Sequence, residues 1–204
     1  MKKTITILAL ALTTQAFSQL SVTRNRFNQF SFEAEYGLTY TRNPTQTSFK
    51  HSGIGFRYMA NEYWGVKFDY AHDRIDDNGT PGTGSILDRA SVQAVYNIGR
   101  VLNFRELTNS TVGLLLHSGV GYTRLNPFEE RDYDNIGNFI IGGTVQLYIN
   151  DSFALRGDLS GILNFRQQNS FYSEYNGTYT GKMLNASIGL TYYFGRNKNR
   201  SDWW

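Results

Sequence analysis

The chain has no cysteine, only three prolines and, after its first segment, no run of about 18 apolar residues. Without cysteine there are no disulfide staples, no thiol chemistry and no cysteine metal site. Mean hydropathy is −0.42, and with no long apolar run this excludes a helical membrane protein. Charge of either sign is modest, at 20 Lys and Arg against 17 Asp and Glu, a formal net charge of +3. What is abundant is 20 Gly, 14 Tyr and 14 Phe.

The N-terminus accounts for part of the charge. Lys2 and Lys3 precede an apolar stretch from Ile5 to Leu12, and Ala16-Phe17-Ser18 forms a small-residue cleavage site. This is the pattern of a secretory signal peptide, too short and wrongly flanked for a membrane helix. Residues 1–18 are therefore read as the signal and 19–29 as a periplasmic segment. A barrel then spans 30–194, with a periplasmic tail at 195–204. Cleavage removes two lysines and no acid, so the net charge falls from +3 to +1. No nucleic-acid partner is implied. About 185 mature residues suit one domain.

The remaining chain alternates with a period of two, the mark of strands with one apolar and one polar face. Eight such segments are expected. The first, Phe30–Thr41, sets Phe30, Phe32, Ala34, Tyr36, Leu38 and Tyr40 against Ser31, Glu33, Glu35, Gly37 and Thr39. The next three run near Ser52–Ala60, Tyr63–Ala71 and Leu87–Ile98. The last four are Thr111–Arg124, Phe139–Ile149, Ser152–Asn164 and a strand from near Gly181 to Phe194. Turns at 61–62 and 150–151 are short, and the one over Gly99–Ser110 is moderate. The connections near 41–51, 72–87, 124–138 and 165–180 are longer and polar.

Sparse hydrophobicity, alternating aromatics and alternate short and long connections predict an all-β fold, an eight-stranded antiparallel up-and-down transmembrane barrel. An even strand count returns both ends to the periplasmic side, as an export signal requires. A secreted β-sandwich would also alternate, but with a polar outward face and shorter strands. The polar face would then line the barrel. It carries Glu33, Glu35, Arg57, Lys67, Asp69, Arg89, Gln93, His117, Arg156, Asp158 and Asn185. Both signs are present, and eight strands leave room only for side chains. A salt-bridged plug is the expectation, and a narrow pore lined by the same groups is the alternative.

The closing strand adds a resemblance. Ser187, Gly189, Tyr192 and Phe194, with apolar residues at every even position from Leu184, form the pattern of the insertion signal of bacterial outer-membrane barrels. The eight-segment chain resembles the transmembrane domain of OmpA-type proteins, in versions from the Bacteroidetes that share Gly189-Leu190-Thr191-Tyr192-Tyr193-Phe194-Gly195 and a basic tail. The resemblance implies a Gram-negative outer membrane and contact with the barrel-assembly machinery during insertion. In those relatives the tail leads into a peptidoglycan-binding domain, whereas here the sequence stops at Trp204. The expected functions are therefore those of a barrel and its loops.

Candidate chemistry is sparse, and no cofactor or metal is expected. Lipid-modifying barrels need a histidine with Ser or Asp near the outer rim. His51-Ser52 and His72-Asp73 lie at the expected outer ends of adjacent strands but match no motif of such enzymes. Asp76-Asp77-Asn78-Gly79 lacks the spacing of a calcium loop. Counting parity upward instead places Arg42, Lys50, Arg74, Arg124 and Lys182 on the lipid side just above the apolar band, near Tyr40, Tyr70 and Tyr122. There they suit lipopolysaccharide phosphates, or simply snorkel. The third external loop is acidic, and the fourth carries Phe171, Tyr172, Tyr175 and Tyr179, suiting contact with a protein or glycan. The expectation is a non-enzymatic outer-membrane protein with a structural, surface-interaction or accessory-subunit role. A small porin-like channel is the alternative, and a lipid A-modifying enzyme comes third.

Overall fold

The computed structural model describes residues 29–42, 44–76, 82–128, 132–171 and 175–194. The segments read as signal peptide and tail lie outside the described residues, as does all of 19–29 except Gln29. Eight strands are formed: β1 (Gln29–Arg42), β2 (Thr45–Met59), β3 (Trp64–Asp76), β4 (Gly84–Tyr96), β5 (Val112–Pro127), β6 (Asp134–Asn150), β7 (Phe153–Asn169) and β8 (Tyr175–Phe194). Between β4 and β5 sit two short helical turns, α1 (Ile98–Val101) and α2 (Phe104–Leu107). Each strand pairs antiparallel with the next, and β8 returns to β1 to close the ring.

The period of two is what puts these residues on a cylinder. Along β1, Ser31, Glu33 and Thr39 are buried, whereas Phe32, Tyr36 and Tyr40 are exposed. The same holds around the ring, where Phe56, Phe68, Val120, Ile141, Leu159 and Ile188 all face outward. A soluble protein would not expose such a belt, and a barrel in lipid must.

The stagger of the ring follows from its pairings. Ser31 lies opposite Arg57, then in turn Lys67, Gln93, Gly119, Ile140, Ile162 and Met183, and Met183 pairs back onto Thr41. One circuit thus climbs β1 by ten residues. With ~3.3 Å per residue and ~4.7 Å between strands, the strands tilt by about 40° to the axis.

Three expectations need correction. The external connections near 41–51, 72–87, 124–138 and 165–180 are mostly strand. β2 begins at Thr45, β5 runs to Pro127 and β8 begins at Tyr175. Above the apolar belt both faces are polar, so the period vanishes from the sequence while backbone pairing continues. Ile98, expected to end β4, instead starts α1, because the Asn97 side chain accepts from Arg100 N and turns the chain into a helix. Third, the interior is not polar throughout. Met59, Val95 and Leu115 pack at the periplasmic end, with Tyr193 on Ala154 beside them. At the other end Ile75, Leu87, Leu125, Ile136, Ile162 and Met183 surround the fully buried Phe171.

The seam between β1 and β8 relies on glycine. A Cβ on Gly189 would stand 2.1 Å from the carbonyl oxygen of Ala34, on β1. Gly189→Val should therefore force the closing pair apart, destabilising the barrel by about 1–3 kcal/mol. Urea unfolding in detergent micelles measures this as a lowered midpoint.

Candidate functional site

Two surfaces gather the charged residues, the lumen and the outer rim. In the lumen the antiparallel pairing brings side chains together from strands far apart in sequence. Glu33 on β1 meets Arg57 Nε on β2 at 3.0 Å, Lys67 on β3 at 3.9 Å, and Arg156 on β7. Arg156 also reaches Glu35 at 3.3 Å and Asp158 at 3.0 Å. Lys67 bonds Asp69 at 3.2 Å. His117 sits between Gln93 at 2.6 Å and Asp158 at 3.0 Å, and Thr144 donates to Asp158 at 2.6 Å. Glu33, Arg57 and Arg156 are each at most 2% exposed. Charges so buried are tolerable only in such mutual contact.

Nearer the outer mouth lies a second network, joined to the first where His51 Nε2 stands 3.6 Å from Glu35. His51 Nδ1 is 2.7 Å from Asp73, which also accepts from Thr39 and lies 3.4 Å from Arg89 Nη1. Asn185 Nδ2 stands 3.1 Å from His51. A cavity of about 30 Å³ between the two networks is lined by Glu35, His51, Lys67, Asp69, Arg89 and Asn185 among others. It is room for roughly one water. Above it the turn after β7 folds across the mouth. Ser85 Oγ donates to the Phe171 carbonyl at 2.9 Å, and Asn169 Nδ2 to that of Asp132 at 3.1 Å. Tyr179, in the part of β8 beyond the belt, has its hydroxyl pushed up to about 12 by burial and by the charge of Asp134.

All eleven interior groups expected from parity point inward: Glu33, Glu35, Arg57, Lys67, Asp69, Arg89, Gln93, His117, Arg156, Asp158 and Asn185. His51 and Asp73 were expected at the rim and are inside instead, fully buried and paired. Carrying the period two residues past the expected strand ends would have found them. His72 faces out and bonds Asp88 at 2.8 Å. Of the closing residues, Ser187 and Gly189 face in, while Phe194 stacks on Tyr192 and Phe30 with ring centres 6.1 Å apart.

The five rim cations Arg42, Lys50, Arg74, Arg124 and Lys182 are all outward and exposed. The ten-residue stagger lifts each successive strand, so they fall within about 10 Å of one another along the axis. A bulge helps, since Phe49 and Lys50 both face out where the β1–β2 register shifts. Lys50 and Arg74 flank Asp76 at the end of β3, and their hydrogen bonds hold its carboxyl below the usual carboxylate range. Arg74 lies over the Phe128 ring at 4.9 Å and Arg124 over Tyr133 at 4.1 Å. Among the described residues no group of three or more His, Asp or Glu is arranged to hold a metal.

The closed eight-stranded ring has counterparts among solved structures. The chain is similar to Neisserial surface protein A at 15% identity and TM-score 0.56, covering 82% of this chain and 97% of that one. A major outer membrane protein from Thermus thermophilus gives 16% identity and TM-score 0.56, with 81% and 99% covered. The N-terminal barrel domain of Pseudomonas aeruginosa OprF gives 14%, 0.53, 82% and 98%. The fold is that of OmpA-like outer-membrane barrels. No protein-family model and no curated protein matches the sequence.

Arg156 is the hub of the lumen. Arg156→Met would leave Glu33 and Glu35 buried without their shared guanidinium, at a cost of about 3–5 kcal/mol. Urea unfolding should show that loss. Glu33→Gln in the same chain should recover part of it, giving a double-mutant cycle far from additive.

Proposed function

We infer that the chain is a non-enzymatic β-barrel of a bacterial outer membrane, with a structural or surface-interaction role rather than a transport one. The supporting observation is the packing of the lumen. Apolar layers lie at both ends of two charged networks, and the cavity between the networks has room for about one water. Conduction needs a continuous hydrated path, whereas here long charged side chains from β1, β2, β3 and β7 converge on one another inside the ring. Of the two histidines expected at the rim, His51 is paired with Asp73 and buried where a membrane lipid could not reach, while His72 faces out with its Nδ1 held by Asp88 at 2.8 Å. The working surfaces left are the lipid-facing wall, the cationic rim and the external hairpins.

On this reading the wild-type barrel in a planar bilayer gives no steady conductance. A stable open level in the unmodified protein would favour the porin-like alternative. Lipid A from cells with and without the protein should have the same mass spectrum, and a protein-dependent change in acylation would favour the enzymatic one.

The rim would anchor the barrel to lipopolysaccharide through its phosphates, because charge-assisted contacts from Arg and Lys suit them. Replacing Arg42, Lys50, Arg74, Arg124 and Lys182 together by Gln should reduce the lipopolysaccharide that co-purifies by about tenfold or more. Unchanged retention would leave snorkelling as their role.

A further inference from the structure

The outer wall is not evenly covered. A shallow groove of about 630 Å³ crosses β1 to β5, lined by two outward rows of the ladder with Gly55, Asp69, Ser91 and Gly121 between them, and a second of about 590 Å³ runs from β6 round to β2. The lower row is Phe32, Phe56, Phe68, Val92 and Val120, each opposite the next. The upper row contains Ile54, Tyr70, Ala90 and Tyr122. It opens at Ala90, where a single methyl stands between two tyrosines. Because each strand in this direction is raised by the stagger, the groove climbs obliquely from the belt's lower half on β1 toward the outer rim at β5.

Directly above its high end the next row is polar. Ser52, His72, Asp88 and Arg124 lie side by side in register on four successive strands, all on the outward face. Asp88 is already engaged, accepting from the Tyr70 hydroxyl at 2.7 Å and lying 2.8 Å from His72 Nδ1. Its charge is thereby partly satisfied and its orientation fixed. Arg124 is held over Tyr133, and Arg74 lies over Phe128 with its Nε 2.9 Å from Asp76, two fixed guanidinium groups at the same end of the groove.

We propose that the groove and this row form one binding site for an acylated, phosphorylated sugar lipid of the lipid A type. The acyl chain lies in the groove over Ala90 and Val92. The phosphate sits on Arg124 and Arg74, and sugar hydroxyls meet Ser52, His72 and Asp88. Charge complementarity and continuity with the lipid-facing belt select this occupant. A carboxylate between two cationic strands suits a headgroup bearing both phosphate and hydroxyls better than a bare phosphodiester. The site rests on the outer-membrane reading and narrows it from a general cationic rim to one wall of the barrel.

The test uses purified full-length barrel in detergent, with lipid adducts counted by native mass spectrometry. The probes are bis-phosphorylated lipid A, dephosphorylated lipid A and phosphatidylglycerol. Ala90→Trp fills the high end of the groove, Arg124→Gln removes the phosphate contact, and Leu147→Trp on the opposite wall is the control. All three positions face outward, and folding is checked by the migration of unheated samples on gels. Lipid A should bind as one tight adduct, weakened about tenfold or more by either Ala90→Trp or Arg124→Gln and unchanged by Leu147→Trp. Removing its phosphates should match the effect of Arg124→Gln.

Equal binding of phosphatidylglycerol overturns the proposal, as does lipid A binding indifferent to Ala90→Trp. If the groove variant has no effect while the five-cation variant does, the rim reading stands and the groove fails. If the barrel conducts yet Ala90→Trp weakens lipid A binding, the groove stands and the non-transport reading fails.

Discussion

Everything in this barrel depends on the hydrogen-bonded closure of β8 onto β1. An apolar solvent offers no partner to a backbone N–H or C=O, so a sheet in lipid must have no edge. The pairing from Phe30 with Phe194 up to Thr41 with Met183 removes the only two edges the sheet would have. It also fixes the ten-residue stagger, and with it the tilt, the diameter and the list of residues that meet across the lumen. Arg156 can grip Glu33 and Glu35 only because this closure carries β7 and β1 to either side of β8.

The lumen in turn constrains the ring. Desolvating Glu33, Lys67, Arg156 and Asp158 is costly, and each is tolerable only at the distances its partners allow. A slip of one residue in any strand would turn its carboxylates and guanidinium groups to the lipid and its aromatics inward. Charged contacts spanning β1, β2, β3 and β7 therefore select one register from many that backbone pairing alone would accept. The apolar layers at the two ends, around Phe171 and around Met59, bracket the charges between them. Wall and lumen thus specify each other.

The period of two made much of this legible before any coordinates. It identified eight strands, the antiparallel ring and the inward direction of all nine interior charges, because a strand's pleat assigns faces without reference to its neighbours. Legibility failed where that signal lapsed. Above the belt, residues such as Thr45, Gln46 and Thr47 are polar on both faces, so the hairpin extensions read as loops. His51 and Asp73 fell into the same zone and were misplaced at the rim. Inside, Ile75 and Leu87 continue the inward parity of their strands but are apolar, so counting polar faces missed the plug they form with Phe171.

Local alternation settled which face the residues within the belt take and that the outside is greasy, but not the bulge that turns both Phe49 and Lys50 outward. It also determined that the rim carries five outward cations. Which side chains meet was settled by the closed ring. The contact of Arg156 with Glu33 joins residues 123 apart in sequence. The row from Ser52 through His72 and Asp88 to Arg124 requires three separate registers. Register and stagger are properties of pairs of strands and of the closed ring, and a pattern read along one strand does not contain them.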